Sequence, residues 1–480
     1  MKLSLLFPTL LIGVVFPGTI AEAETLQGAL AKAYATNPTL NAARAGQKAT
    51  DEQIAIARAK ALPSASVGFN ATKTYESAAD AAFSPSRVLT IGPTLNVPLY
   101  TGGSTKYGIR AADVRSAQGR AQLKGTELTV FSQVVAAYMD VILNENLVAL
   151  NAQQVKVLDV NLQATRDRFQ VGDLTRTDIA QSESRLAQAK SGYDSAQANL
   201  IAARETYVQL VGEAPVALAD PPALPNLPKS PDDAVEVALA NNPDLIAANK
   251  GVDAARYDVS VARAERLPTI SGSAAVNYTN YLNSLLSPYP GISFPQTDKN
   301  AVVGIHASIP LYQGGAPSAQ IRAAKDRSSQ AIEQVILTER SVISQTRAAY
   351  ASWRAANQVI DASKTQVSSA ELSLEGVKAE NTVGNRTILD ILNAQQELLN
   401  ARSALVQAQR NAYVAGFTLL AAMGKASARD MGLESGALYD PLPNYKYAHH
   451  GWSDWRDGPA PAAHSTRTID IPAQTPALTK

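Results

Sequence analysis

One long sequence pattern occurs twice along the chain. VGDLTRTDIA at residues 171–180 and VGNRTILDIL at 383–392 share Val, Gly, Thr, Asp and Ile at matching positions, 212 residues apart. PLYTGG at 98–103 and PLYQGG at 310–315 repeat with the same offset of 212 residues. An internal repeat of this length indicates that one structural unit is built twice in tandem.

The offset between the copies changes once. Asn37 and Asn242, each followed by proline, are only 205 residues apart, so the second copy has seven extra residues between Pro268 and Pro310. Loops tolerate insertions better than packed elements do. We therefore expect a surface loop in that interval, and another in the equivalent part of the first copy, near residues 76–86.

The N-terminus has the pattern of a secretory signal. Lys2 supplies a positive charge, Leu3–Phe16 is apolar, and Ala21-Glu22-Ala23 fits a small-x-small cleavage site, which predicts cleavage before Glu24. A membrane anchor is the alternative, but the apolar run is short. No later stretch offers about 18 consecutive apolar residues, so we expect an exported chain that is not an inner-membrane transporter.

These boundaries divide the chain into five parts. We predict a signal peptide, a first structural repeat, a Pro-rich linker, a second repeat, and a Pro-rich C-terminal extension that is partly disordered. Their respective ranges are 1–23, 24–214, 215–230, 231–424 and 425–480.

Composition excludes several classes of function. The 480 residues carry a formal net charge of +1, which gives no reason to expect a nucleic-acid partner. The chain has no cysteine, so disulfides, thiolate metal sites and a lipid anchor on an N-terminal cysteine are all excluded.

Each copy contains two stretches in which apolar and polar residues alternate. The apolar positions are Ala65, Val67, Phe69 and Ala71, then Leu89, Ile91, Leu95, Val97 and Leu99, and in copy two Ile270, Ala274, Val276 and Tyr278, then Ala301, Val303, Ile305, Ala307 and Ile309. A period of two predicts strands with one apolar face. Runs of about ten residues are long enough to cross a membrane when tilted.

The rest of each copy has a helical pattern. Proline-free or nearly proline-free runs at 104–169 and 316–381 predict two helices of ~100 Å each, which favours coiled-coil-like packing. Shorter helices are expected before each strand pair and after each VG turn, at 38–61, 243–266, 175–212 and 387–424. The VG turns would then be the far tips of two long helical hairpins.

Four amphipathic strands cannot close a cylinder, and open strand edges do not occur in lipid. Other chains must therefore complete the sheet. Two chains would supply eight strands and just suffice, while three would supply twelve and leave an open lumen. This geometry predicts an oligomeric membrane-embedded conduit without deciding between a dimer and a trimer.

The tandem repeats, the PLY-x-GG junctions and the VG-x-x-T-x-x-D tips resemble the TolC family of outer-membrane efflux and secretion channels. The resemblance extends from the mature N-terminus to about Gly424. It implies an α+β membrane protein in which long α-helical hairpins form a trimeric periplasmic α-barrel, continuous with a shared 12-stranded transmembrane β-barrel with four strands per chain. The partners it implies are outer-membrane lipid, a periplasmic adaptor protein and an inner-membrane pump.

The resemblance also assigns roles at the tips. Asp390 is expected to line the constricted periplasmic entrance, and Asp178 and Arg386 to hold it shut through links between helices. Val171, Gly172, Val383 and Gly384 are expected to dock the adaptor. Independently of the resemblance, Thr175 with Asp178 and Thr387 with Asp390 have the spacing of helix capping boxes.

The sequence departs from the family pattern at two positions. Asn393 lies where a second acidic ring would be, and Asn381 lies where a tyrosine link is often found, so both features are in question here. At the strand-to-helix junctions, Tyr100 and Tyr312 would end the apolar strands as interfacial or turn-packing residues. The glycine pairs that follow, Gly102-Gly103 and Gly314-Gly315, would let the chain swing from strand into helix.

The sequence therefore favours a passive exit duct for drugs, toxic compounds or proteins. A surface coiled-coil protein or adhesin would explain the long helices but not the identically placed strand pairs. A periplasmic enzyme is disfavoured because no catalytic or cofactor-binding constellation is visible. His449-His450 in the Pro-rich extension is the one candidate for a metal site, and we expect neither a metal nor a cofactor there.

Overall fold

The computed structural model describes residues 23–75, 84–287, 289–433, 438–451 and 453–478. The predicted signal peptide, apart from its last residue, and residues 76–83 of the predicted copy-one loop lie outside the described residues.

The first copy contains four helices and two strands. They are α1 (Leu26–Thr36), α2 (Pro38–Ala59), β1 (Ser64–Lys73), β2 (Arg87–Thr101), α3 (Ser104–Gln170) and α4 (Arg176–Val211).

The second copy repeats this order, and the C-terminal extension adds one helix. The elements are α5 (Pro231–Asn241), α6 (Pro243–Ala264), β3 (Thr269–Asn280), β4 (Thr297–Ser308), α7 (Ala316–Thr382), α8 (Ile388–Ala422) and, in the extension, α9 (Leu442–His450). The connection between β3 and β4, residues 281–296, has 16 residues against 13 in 74–86 of copy one. Three of the seven extra residues therefore lie in this loop, and the other four lengthen β3 and the start of β4. Sequence patterns missed α1, α5 and α9, each of which has three turns or fewer.

The repeated Asn-Pro pairs start helices α2 and α6. The side-chain oxygen of Asn37 accepts hydrogen bonds from the backbone N–H groups of Thr39 and Leu40, at 2.9 and 3.3 Å. Asn242 caps α6 in the same way. The proline at the first helical position loses no hydrogen bond, because that N–H has no partner within a helix.

The four strands form one antiparallel sheet in the order β1-β2-β3-β4. Strands β2 and β3, from different copies, pair at its centre, with Leu95 opposite Ala274. The register shifts between Pro98 and Tyr100, where β2 contains a bulge. Within the chain, β1 and β4 each have one paired side and form the two edges of the sheet.

Strand β4 ends earlier than predicted. The pattern placed Ile309 in this strand and Tyr312 at its end, but the strand stops at Ser308, which pairs with the first residue of β3, Thr269. In copy one, by contrast, Tyr100 pairs with Ile270 and β2 continues to Thr101. The difference arises because β2 has a neighbouring strand on each side, whereas β4 has one on only one side.

The main core lies where the long helices pass α1 and the C-terminal extension. Its largest fully buried side chains include Phe131, Tyr138, Tyr207 and Phe417. Nearby, Arg410 of α8 makes two hydrogen bonds to the Asp140 carboxylate of α3, at 2.8 and 3.0 Å, and so joins the two copies. Among the described helices, only α3 is long and apolar enough to be a candidate membrane span, and 56% of that window is buried within the chain, as in a core helix.

Two tyrosines at equivalent positions of the repeat, Tyr138 and Tyr350, form hydrogen bonds with the segment that joins the copies. The Tyr138 hydroxyl lies 2.8 Å from the Glu24 carbonyl oxygen and 2.6 Å from that of Ala219, and the Tyr350 hydroxyl donates to the Lys229 carbonyl at 2.9 Å. Because Tyr138 is fully buried, Tyr138→Phe is expected to lower the free energy of unfolding by about 1–2 kcal/mol. Circular dichroism melting in detergent measures the change. The matched variant Tyr350→Phe, at a less buried site, should lose less, and a wild-type midpoint for Tyr138→Phe would contradict this role.

Candidate functional site

The sheet has one apolar and one polar face. The antiparallel register places Phe69 opposite Ile91, and Ala274 opposite Val303, on one face. These side chains remain open to solvent in the single chain, with Phe69 69% and Val303 85% exposed. Exposed apolar area of this kind on a sheet indicates contact with lipid or with another apolar surface.

The opposite face carries hydroxyl and amide side chains. Ser66 and Thr94 lie across β1 and β2 with their hydroxyl oxygens 2.9 Å apart, and Thr90 and Thr279 lie across β2 and β3 at 3.4 Å. A sheet that is polar on one side and apolar on the other can separate water from hydrocarbon. It does so only when its edges are paired, because the bilayer core contains no water to satisfy backbone N–H and C=O groups.

Both glycine pairs at the strand-to-helix junctions have left-handed backbone conformations. Gly102 and Gly103 have φ of 63° and 88°, and Gly314 and Gly315 have φ of 60° and 85°, a region that side chains with a Cβ avoid. The first junction is also crowded: a Cβ on Gly102 would lie 2.7 Å from the carbonyl oxygen of Ala264. The second is open, since a Cβ on Gly314 would meet nothing within 4 Å in the described chain.

The helices show the same asymmetry between copies. Ala254 and Ala264 of α6 are buried, whereas their repeat equivalents in α2, Ala49 and Ala59, are exposed. In the chain, α6 packs against α3, and Arg115 of α3 forms an ion pair with Asp258 of α6. The equivalent faces of α7 and α2 are therefore available for an equivalent contact with another molecule.

Both hairpin tips end their first helix in the same way. The N–H of Gly172 donates to the Phe169 carbonyl, and that of Asp173 to the Arg168 carbonyl, both at 3.0 Å. This is the Schellman arrangement, which requires the left-handed φ of 88° at Gly172. Gly384 repeats it with φ of 82°. Because the tip valines are exposed, both tips present a similar apolar point to solvent.

Capping boxes then start the return helices, as predicted. The Asp390 carboxylate accepts hydrogen bonds from the Thr387 N–H at 2.9 Å and from its hydroxyl at 2.8 Å, and Asp178 does the same with Thr175, at 2.8 Å in both bonds. The backbone hydrogen bond is the main cause that lowers the pKa of each carboxyl below its ordinary value. Both groups therefore carry a negative charge at neutral pH while exposed to solvent.

The other tip residues make local contacts. Arg386 Nε lies 2.7 Å from Glu380 Oε2, and this hydrogen bond raises the pKa of the guanidinium. The Asn381 side chain donates to the Arg386 carbonyl at 2.7 Å. The predicted links of Asp178 and Arg386 between neighbouring hairpins stay predictions, since the contacts described above lie within their own hairpins.

A hydrogen bond that no sequence pattern indicated joins the two hairpins near their tips. Arg185 of α4 donates to the side-chain oxygen of Asn393 in α8 at 2.8 Å. Leu162, Leu186 and Leu392 form a small buried cluster close to the same level of the hairpins. An asparagine in place of a second acidic residue thus accepts a hydrogen bond that joins copy one to copy two. No local pattern could have identified its partner, because the two residues are distant in sequence.

No group of three or more His, Cys, Asp or Glu residues close enough to hold a metal ion occurs in the described parts of the chain. His450 Nδ1 lies 2.9 Å from the Lys446 carbonyl oxygen, and His449 Nε2 lies 4.0 Å from the Asp113 carboxylate. The two histidines therefore have protein partners on α9 itself and on α3.

Comparison with known proteins matches both copies. Residues 29–213 and 234–425 match the family model described as outer membrane efflux protein. The chain is 35% identical over 443 residues to the outer membrane efflux protein BepC of Brucella suis biovar 1, covering 92% of this chain and 94% of that protein. It is 27% identical to the outer membrane protein TolC of Escherichia coli, and the match covers 90% of this chain and 89% of that protein. The crystal structure of the Campylobacter jejuni CmeC outer membrane channel shares the fold, with a TM-score of 0.72 and 17% identity. The match covers 88% of this chain and 89% of that chain.

The capping boxes predict a pH dependence at the tips. Because the folded pKa of each aspartate is lowered, the box stabilises the helix start above the unfolded pKa, and this stabilisation is lost as the pH falls below about 4. Hydrogen exchange at the starts of α4 and α8, corrected for intrinsic rates, should accelerate in that range. Thr387→Val should produce about fivefold faster exchange at neutral pH in α8 alone, and Thr175→Val in α4 alone. Unchanged protection in both variants would exclude the capping role.

Proposed function

The chain belongs to the outer membrane efflux protein family, and we propose that three copies of it form the passive exit duct of a tripartite efflux or type I secretion system. The sheet lies in the outer membrane and the long helices extend into the periplasm. An inner-membrane pump, joined through a periplasmic adaptor, supplies the energy. No catalytic step belongs to this role.

The four-stranded sheet carries this proposal. Its apolar face is exposed, its other face is polar, and its outer edges at β1 and β4 have no partner strand among the described residues. Such a sheet is unsuited to water on the apolar face and unsuited to lipid at the edges. Pairing β4 of one chain with β1 of the next removes both problems, because the edges disappear and the polar faces enclose a water-filled lumen.

The repeat specifies how the next chain would attach. Within one chain, α3 of copy one packs on α6 of copy two, and β2 pairs with β3. The same interface between chains would place α7 on the next chain's α2 and β4 beside its β1. Gly314 would then approach the next chain's Ala59 as Gly102 approaches Ala264, and Tyr312, 89% exposed against 47% for Tyr100, would gain a neighbouring strand. A head-to-tail interface of this kind generates a ring when its rotation closes.

Three copies give a ring of six structural units and twelve strands. A barrel of this size leaves an open lumen, whereas eight strands enclose little more than their own side chains. The family resemblance supports the trimer over the dimer. At 1.5 Å per residue, α3 and α7, with 67 residues each, extend ~100 Å into the periplasm.

The periplasmic entrance is formed by the hairpin tips. Three copies of Asp390 form an acidic ring at the constriction, while Asp178 and Arg386 hold neighbouring hairpins together. Carboxylates ringed around a pore attract cations and repel anions. The lowered pKa of Asp390 supports this role, because the carboxylate stays charged well into the acidic range.

The adaptor docks at the tips, where the exposed Val171 and Val383 follow almost identical turns. Two equivalent tips per chain give six similar docking points around the ring. Substrate choice then rests mainly with the pump, so drugs, toxic compounds and proteins all remain candidates. A surface coiled-coil protein or adhesin is not favoured, because that role leaves the exposed apolar face of the sheet unexplained.

Cross-linking tests the ring. Gln53 and Arg327 are the repeat equivalents of the ion pair Asp258 and Arg115, and both are exposed in the single chain. Since the chain has no native cysteine, Gln53→Cys with Arg327→Cys is a clean pair, and a short bismaleimide should join two and three chains on a denaturing gel. The control pair Arg115→Cys with Asp258→Cys should cross-link within the chain without a gain in mass. A purely monomeric product from the first pair would contradict the ring.

Conductance tests the entrance. The reconstituted protein should form channels in planar bilayers that are blocked from the periplasmic side by a multivalent cation such as hexaamminecobalt(III). Asp390→Asn keeps the side-chain acceptor but removes the charge, so the concentration for half-block should rise severalfold. Asp178→Asn, the matched change at the other tip, should leave block unchanged and raise resting conductance if its links hold the entrance shut. Unchanged block in Asp390→Asn would remove this residue from the constriction.

A further inference from the structure

The C-terminal extension forms a strap along α2. Its helix α9 follows α2 toward the sheet: the Asn444 side chain donates to the Lys48 carbonyl at 3.4 Å, and Arg58 donates to the carbonyl of Gly451. The chain then turns back, and Ser465 accepts a hydrogen bond from Asn41 at 3.0 Å. The extension thus rises almost to the end of α2 at Gly451 and has returned to the beginning of α2 at Ser465.

The end of the strap is anchored on α4. The guanidinium of Arg204, 4% exposed, donates to the Thr475 and Ala477 carbonyl oxygens at 2.6 and 2.8 Å, and pairs with Glu145 at 2.6 Å. A buried arginine with three acceptors fixes the returning segment firmly. The described residues 453–457, which we call the apex, lie between the contacts of Gly451 with Arg58 and of Ser465 with Asn41.

The apex lies beside the first strand of the sheet. Ser453, Asp454 and Arg456 line a groove of roughly 500 Å³ together with Ala59 and Leu62. Leu62 precedes the first residue of β1 by two positions, so their Cα atoms are at most about 7 Å apart. If the sheet spans the outer membrane, the apex is at the level of its periplasmic surface.

The apex has the side chains of a membrane interface. Trp455 is 95% exposed, and Arg456 follows it directly. Tyr447 is half exposed on the last turn of α9. Tryptophan and tyrosine concentrate where hydrocarbon meets water, and arginine reaches from there to lipid phosphates. A tryptophan held rigidly in water would leave a large apolar surface hydrated.

We infer that the strap apex rests in the headgroup region of the periplasmic leaflet of the outer membrane, with Trp455 as an interfacial anchor to phospholipid. This inference rests on the proposed function, which places the sheet in the bilayer. With the strap on the outside of the proposed tube, the apex would give the chain a fixed point at the membrane interface.

Lipid-borne quenchers test this contact in the full chain. A variant with Trp353→Phe and Trp452→Phe keeps Trp455 as the sole tryptophan, and is reconstituted into phosphatidylcholine–phosphatidylglycerol vesicles. Trp455 emission should fall severalfold with phospholipid brominated near the headgroup, and little with phospholipid brominated near the chain end. Two controls accompany it. A variant that keeps only Trp353, which packs against Tyr350 in the helical part, should not be quenched by either lipid. A tryptophan-free variant with Phe69→Trp reports insertion of the sheet and should be quenched.

The controls separate the two claims. Quenching of Phe69→Trp without quenching of Trp455 overturns the strap inference and leaves the proposed function intact, while absence of quenching at both sites contradicts the membrane placement of the sheet. Quenching of Trp455 by aqueous iodide alone would show that the apex lies in water, which also overturns the inference. Shielding from both lipid and iodide would assign the apex to a second copy or to a protein partner instead.

Discussion

The backbone hydrogen bonds at the edges of the sheet constrain everything else in this protein. In hydrocarbon an unpaired N–H or C=O costs several kcal/mol, so a sheet with open edges at β1 and β4 cannot remain in a bilayer alone. The chain supplies four strands, too few to close. In the proposed ring, the inability of one chain to satisfy its own backbone is the physical reason for assembly, and the periplasmic helices inherit the symmetry that the sheet requires.

Because the chain is a tandem repeat, one type of interface would join structural units both within a chain and between chains of the proposed ring. The contact of Gly102 with Ala264 and the pairing of Tyr100 with Ile270 show how two structural units fit together. The open surroundings of Gly314 and Tyr312 show where the next unit is missing. Two parts of the chain depart from the repeat and have separate roles. They are the longer loop between β3 and β4, and the C-terminal strap, which follows copy two and lies along α2 of copy one.

The two ends of the molecule are suited to different solvents. At the membrane end, the exposed apolar face of the sheet matches a solvent that has no hydrogen bonds to offer. At the periplasmic end, the Schellman turns and capping boxes satisfy the helix ends locally, so the tips hold their shape while fully exposed to water. The same carboxylates that cap α4 and α8 leave negative charge at the tips. The caps of the return helices and the negative charge at the tips therefore come from the same two residues in each chain.

The sequence by itself determined what depends on local periodicity and spacing. Alternation placed the strands, with only the end of β4 wrong, and the Thr-x-x-Asp spacing identified both capping boxes. The repeat located an insertion in the strand pair of copy two, part of which lies in the loop. The tertiary structure alone decided what depends on contacts between distant residues: the hydrogen bond of Arg185 to Asn393, the burial of Arg204 under the returning strap, and the path of the extension along α2. A local pattern reports which face of an element is apolar, but only packing determines which partner covers that face, or leaves it open for another chain or for lipid.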